Sequence, residues 1–150
     1  MATTVTNANL TVTLTDSVTL NGQAYGNTNT LTIGAIDEVY NRVVELPIAA
    51  FTPLIQLGST GQGSITAANV KYIRVTNLDD TNYVNLKIFG TDTMVMKLEA
   101  GKSFIMGGVA FDAVASSDIA QAAVSHNTAF VMSGEGTVAP CDVEVFVASV

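Results

Sequence analysis

The sequence predicts an all-β protein, a two-sheet β-sandwich with the jelly roll as first choice, and three observations carry that prediction. Apolar residues recur with period two in short runs. Val84, Leu86 and Ile88 fall on one face of one run and Met94, Met96 and Leu98 on one face of the next, as a half-buried strand requires. Turn residues punctuate the runs closely enough for about eight to ten short strands. Polarity comes from Thr and Asn, with 19 and 11 copies, while charged residues make up only 13% of the chain. Thr on the wet face of a strand fits the pleat well.

In chain order, residues 1–9 read as an extended N-terminal arm and residues 10–150 as a single domain, long enough to bury a core without disulfides or metal. Leu10, Val12 and Leu14 alternate with Thr11, Thr13 and Thr15. After Asp16 and Ser17 come Val18 and Leu20, so the two runs read as a hairpin. Asn21-Gly22 and the polar run from Gly26 to Thr30 punctuate the chain before a short strand with Leu31 and Ile33 inward. Val39 to Leu46 is the next strand, stopped by Pro47, and Leu54 to Leu57 follows Pro53 as another. Gly58 to Asn69 reads as a loop.

From Val70 to Gly108, two alternating runs flank the acidic turn at Asp79-Asp80 and a third follows a Gly turn, which reads as successive hairpins. Phe130 to Met132 and Val143 to Val147 complete the set, the last alternating Val143, Val145 and Val147 against Glu144, Phe146 and Ala148. Asp112 to Asn127 fits two patterns. Asp118 would cap a short helix with Gln121 at the third position, and alternation through Ile119, Gln121 and Ala123 serves a strand equally well. No internal repeat or heptad is present.

The formal charge is -7, and the six basic residues, Arg42, Lys71, Arg74, Lys87, Lys97 and Lys102, form no cluster. A nucleic-acid partner is disfavoured, because phosphate binding needs a cationic stripe that releases counterions; docking to an anionic membrane is disfavoured likewise. No run approaches the length of a membrane-spanning helix, and MATTVTNANL has neither the basic region nor the apolar core of a signal peptide, so folding in a cytoplasm is expected. So low a charge fraction leaves a monomer's surface largely neutral or apolar. Part of that surface is therefore expected to be covered by other subunits, the alternative being a low-charge monomeric β domain.

Candidate chemistry is sparse, and the expectation is a non-enzymatic protein with no catalytic, cofactor or metal residues. His126, the only histidine, sits in SHNTAF beside Asn127 and Thr128 and reads as a turn residue rather than a general base. Cys141 leads a strand in PCDVEVFV and reads as a buried, inert thiol. One His and one Cys close no four-coordinate zinc site. Asp79, Asp80 and Asn82 bring oxygens together in a tight turn, where either side-chain to backbone bonds or a calcium ion would satisfy them. Gly58, Gly61 and Gly63 match neither the dinucleotide fingerprint nor the P-loop. Without Trp, and with Tyr25, Tyr40, Tyr72 and Tyr83 dispersed, nothing marks a carboxylate pair for glycoside hydrolysis. Asn9-Leu10-Thr11 is a formal glycosylation sequon only.

The block VKYIRVTNLDDTNYVNLKIFG followed by KLEAGKSFIMGG resembles the small β-rich head decoration, or cement, proteins of tailed bacteriophages of the marine and cyanobacterial type. There a strand of the I-R-V-T-N kind enters a polar turn, a second strand returns, and a Leu-x-x-Gly-x-Ser-Phe element follows, matched here by Leu98, Gly101, Ser103 and Phe104. The opening LTVTLTDSVTLNGQAYGNTNTLTI and the closing DVEVFVAS are similar as well, whereas Pro47 to Gly58 and Asp112 to Asn127 depart from the pattern. The resemblance implies a virion structural protein, assembled in the host cytoplasm as a homo-oligomer, most often a trimer. It would bind the major capsid protein on the outer surface of the head and brace the shell. Two further readings stand beside it. One is a tail, fibre or baseplate component of the same particle, and the other a jelly-roll carbohydrate-binding or adhesin module with calcium at Asp79-Asp80.

Overall fold

The computed structural model describes residues 5–57, 65, 69–89, 93–107 and 130–150. Their regular elements are all β-strands: β1(Ala8–Thr15), β2(Val18–Leu20), β3(Gln23–Tyr25), β4(Thr28–Ile36), β5(Glu38–Leu46), β6(Thr52–Leu57), β7(Val70–Asn77), β8(Val84–Phe89), β9(Thr93–Leu98), β10(Ser103–Gly107), β11(Phe130–Gly136) and β12(Cys141–Ser149). The segment from Asp112 to Asn127, His126, and Gly58, Gly61 and Gly63 lie outside the described residues.

Packing divides the chain into two compact units, Met1–Asp37 and Glu38–Val150. The sequence placed the arm at residues 1–9 and the body at 10–150. That boundary followed composition; the division after Asp37 follows which strands pair.

The second unit is a sandwich of two four-stranded antiparallel sheets, in the orders β10-β7-β12-β5 and β6-β11-β8-β9. Period-two alternation decides what each strand buries. In β12, Cys141, Val143, Val145 and Val147 are buried. Val145 stands opposite Val75 of β7, and Val147 opposite Ile73. In the other sheet Val84, Leu86 and Ile88 pair with Leu98, Met96 and Met94. Apart from Met94, which is exposed, these apolar faces join Leu46, Leu54, Ile55 and Val70 in one core. The charged edge β5 is tied in differently. Arg42 donates from its guanidinium to the carbonyls of Pro53 and Leu54, at 3.2 and 3.3 Å, on the edge strand β6 of the other sheet. An inward-directed cation on an edge strand blunts that edge against stray pairing.

Among the sandwich strands, only β8 and β9 are neighbours both in sequence and in a sheet. This corrects two expected hairpins. The runs on either side of Asp79-Asp80 do not pair, since β7 lies between β10 and β12 while β8 lies in the opposite sheet, so the acidic turn is a corner between layers. Likewise β1 pairs with β4, and β2 with β3, rather than β1 with β2. Alternation fixes which face of a strand is apolar, but not which strand lies beside it.

The first unit is a ribbon with a smaller hairpin at its tip. Antiparallel pairing sets Leu10 opposite Ile33 and Val12 opposite Leu31 on one face, with Leu14 following. Thr11, Thr13 and Thr15 stand opposite Thr32, Thr30 and Thr28 on the other. Thr15 and Thr28 share a hydroxyl hydrogen bond of 3.2 Å, and Asp16 N–H donates to the Asn27 carbonyl at 2.9 Å. At the tip, β2 turns into β3 through Asn21-Gly22, whose φ angles of 51° and 78° are those of a type I′ turn. Asn and Gly are the residues that tolerate two successive positive φ values.

Candidate interaction surface

Among the described residues, the candidates the sequence offered are the turn of Asp79, Asp80 and Asn82, and Cys141. At the corner after β7, Asn77 is fully buried and donates from Nδ2 to the carbonyls of Asn82 and Leu98, at 2.8 and 3.2 Å. Its Oδ1 accepts from Asp79 N–H at 3.0 Å. Asp79 Oδ1 in turn accepts from Thr81 N–H at 2.8 Å and from Asn82 N–H at 2.5 Å. Those amides, Asn82 first and Thr81 next, hold its carboxyl below the usual carboxylate range. Asp80 Oδ1 accepts the Thr81 hydroxyl at 2.9 Å. The turn is thus closed by Asx-type side-chain to backbone bonds.

Asn77 was not singled out in the sequence. In I-R-V-T-N it reads as an ordinary strand end, and only the crossing between sheets makes a buried amide necessary there.

Cys141 lies beneath this corner, and its Sγ donates to the Ala139 carbonyl at 3.3 Å. Burial pushes its thiol pKa up, and the nearby Asp79 carboxylate adds to the effect. A thiol so placed is a poor nucleophile at neutral pH. Above it, Glu45, Asp79, Asp80 and Asp142 rim a depression of about 340 Å³ together with Leu78 and Pro140. Pairing of β5 with β12 sets Glu45 opposite Asp142, a juxtaposition with no signal in the sequence. No three His, Cys, Asp or Glu among the described residues are grouped to hold a metal ion.

Several basic side chains are held locally. Arg74 pairs with Glu144 at 2.6 Å and lies over the Phe146 ring. Lys97 pairs with Glu99 at 2.7 Å over Tyr83, Arg42 lies over Tyr40, and Lys87 over Phe51. These contacts distribute the positive charge singly over both sheets.

The feature that stands apart from a self-sufficient β domain is the ribbon. From residue 5 to residue 37 only Ile36 is buried. Leu14 is 50% exposed and Leu31 36%; at the tip Val18, Leu20 and Tyr25, which share one face of the hairpin, are 58%, 61% and 57% exposed. A two-stranded ribbon without a second layer is marginal in water. Among its described residues this one has an apolar face of Leu10, Val12, Leu14, Leu31 and Ile33, with only Ile36 buried.

Comparison with protein-family models, with curated protein sequences and with solved structures returns no match.

Proposed function

We propose that this chain is a non-enzymatic structural protein of a phage virion, a decoration protein that assembles as a homo-oligomer, a trimer by preference, on the outer surface of the capsid. The observation that carries this reading is the exposed apolar face of the ribbon, which a second apolar layer from another chain would cover. The resemblance of the Val70 to Gly108 block to phage cement proteins supports the same reading, as does a charged fraction of 13% against about 25% in an ordinary soluble domain. The body is read as a jelly roll, supported by its two interleaved four-strand orders. Its partners are then further copies of itself and the major capsid protein. A chain of net charge -7 also suits the outside of a shell better than contact with packaged DNA.

Quantitative mass spectrometry of separated heads and tails tests this. High copy number in the head fraction is the expected result. Recovery only in tails, at about a dozen copies or fewer, would replace it with the fibre or baseplate reading.

A further inference from the structure

We propose that the apolar face of the β1–β4 ribbon is the self-association element of this protein, packing on the same face of other copies of the chain about their common axis. The inference rests on the homo-oligomer reading above and names the surface responsible for it.

Three observations on the ribbon select another copy of itself as the occupant. The first is charge. Between Ala8 and Ile36 the only charged residue is Asp16, whereas all six basic residues and most of the acids lie after Asp37. Identical surfaces that meet across a symmetry axis set like against like, so a neutral apolar face meets its own copy without repulsion. A partner recognised by charge would need ionised side chains there. The second is pattern. Residues 8–36 alternate between an apolar and a Thr-rich face, so one face alone is suited to a dry contact. Leu10, Val12, Leu14, Leu31 and Ile33 form its apolar centre, and the Thr ladder of the opposite face remains wet. The third is the condition of the edges. Each ribbon strand pairs with one other strand among the described residues, and residues 8–36 contain no Pro, Lys, Arg or Glu of the kind that blunts an edge. An unguarded, amphipathic ribbon is protected from stray pairing when assembly covers it.

The test compares two substitutions one residue apart on the same strand of the full chain. Val12→Glu puts a charge on the apolar face, and Thr13→Glu puts the same charge on the Thr face. Sedimentation equilibrium is run at micromolar concentration, with thermal melting of each protein to establish that the sandwich stays folded. The expected result is an oligomer for the unsubstituted chain and for Thr13→Glu, with self-association of Val12→Glu weakened by about 30-fold or more. An unsubstituted chain that runs as a 15.6 kDa monomer overturns the proposal. Equal weakening by both substitutions also overturns it, because the effect would then be on ribbon stability alone. If Val12→Glu keeps its oligomeric mass but no longer binds heads, the occupant is the capsid protein and the proposal fails while the decoration reading stands. Conversely, ribbon-dependent assembly of a chain absent from purified heads would leave this proposal intact and remove the decoration reading.

Discussion

At the scale of single residues, the corner between β7 and β8 is the most constrained place in the chain. One buried amide, Asn77, and one carboxylate, Asp79, satisfy the backbone groups that the change of sheet would otherwise leave unpaired. Asn77 is buried, and an unpaired buried polar group costs about 1–3 kcal/mol, so its bonds serve chiefly to avoid a penalty. Those of Asp79 give stability a dependence on pH. The folded-state pKa of Asp79 lies below its value in the unfolded chain because the Asn82 and Thr81 amides favour the ionised form. Its contribution is therefore present above the unfolded pKa, about 3.9, and is lost as pH falls through the lower folded value. The melting temperature is expected to fall more steeply from about pH 5 to about pH 3 in the unsubstituted chain than in Asp79→Asn. Thermal melts across that range check it, and parallel curves would show that the carboxylate's charge is immaterial to the turn.

At the scale of elements, most strands were legible in the sequence, β3 excepted, and of the pairings only the β8–β9 hairpin was. The runs containing Val84, Leu86 and Ile88, or Val143, Val145 and Val147, bury the faces their alternation assigns. Leu10, Val12 and Leu14 were equally readable as one face of a strand. Their partner, however, is the strand of Leu31 and Ile33, reached only after the Asn21-Gly22 hairpin has intervened. Asn-Gly between Leu20 and Gln23 is the strongest short hairpin signal in the chain, and it pairs β2 with β3 instead of β1.

Packing across the sandwich was hidden for a related reason, since it depends on which residue faces a glycine in the other sheet. A Cβ added at Gly134 would lie 2.6 Å from Cδ1 of Leu46, a fully buried side chain. Gly134→Ala is therefore expected to cost about 1–3 kcal/mol through overpacking. Combining it with Leu46→Val, which removes the obstructing methyl, should cost less than the sum of the two single substitutions. Urea unfolding of the four proteins closes this cycle. Strict additivity would mean that Leu46 moves aside freely, contrary to the dense packing around it.

At the scale of the whole molecule, charge and apolar surface are unequally shared between the two units. Unit 1 carries only Asp16 and Asp37, while Glu38–Val150 holds all six basic residues and the remaining acids. The proposed assembly through the ribbon would bring together bodies that share a negative charge, held by a contact that has almost none. Salt acts on these two contributions differently. It screens the repulsion between bodies over a Debye length of about 10 Å at 0.1 M, and it leaves apolar burial intact. Self-association is therefore expected to hold constant or tighten as NaCl is raised from about 0.05 to about 0.5 M. Sulfate, excluded from apolar surface, should tighten it further. An interface built on ion pairs between copies would behave in the opposite way, because screening would weaken its attraction. Sedimentation equilibrium across that salt series distinguishes the two, and a dissociation constant that rises with salt would assign the subunit contact to the charged sandwich instead of the ribbon.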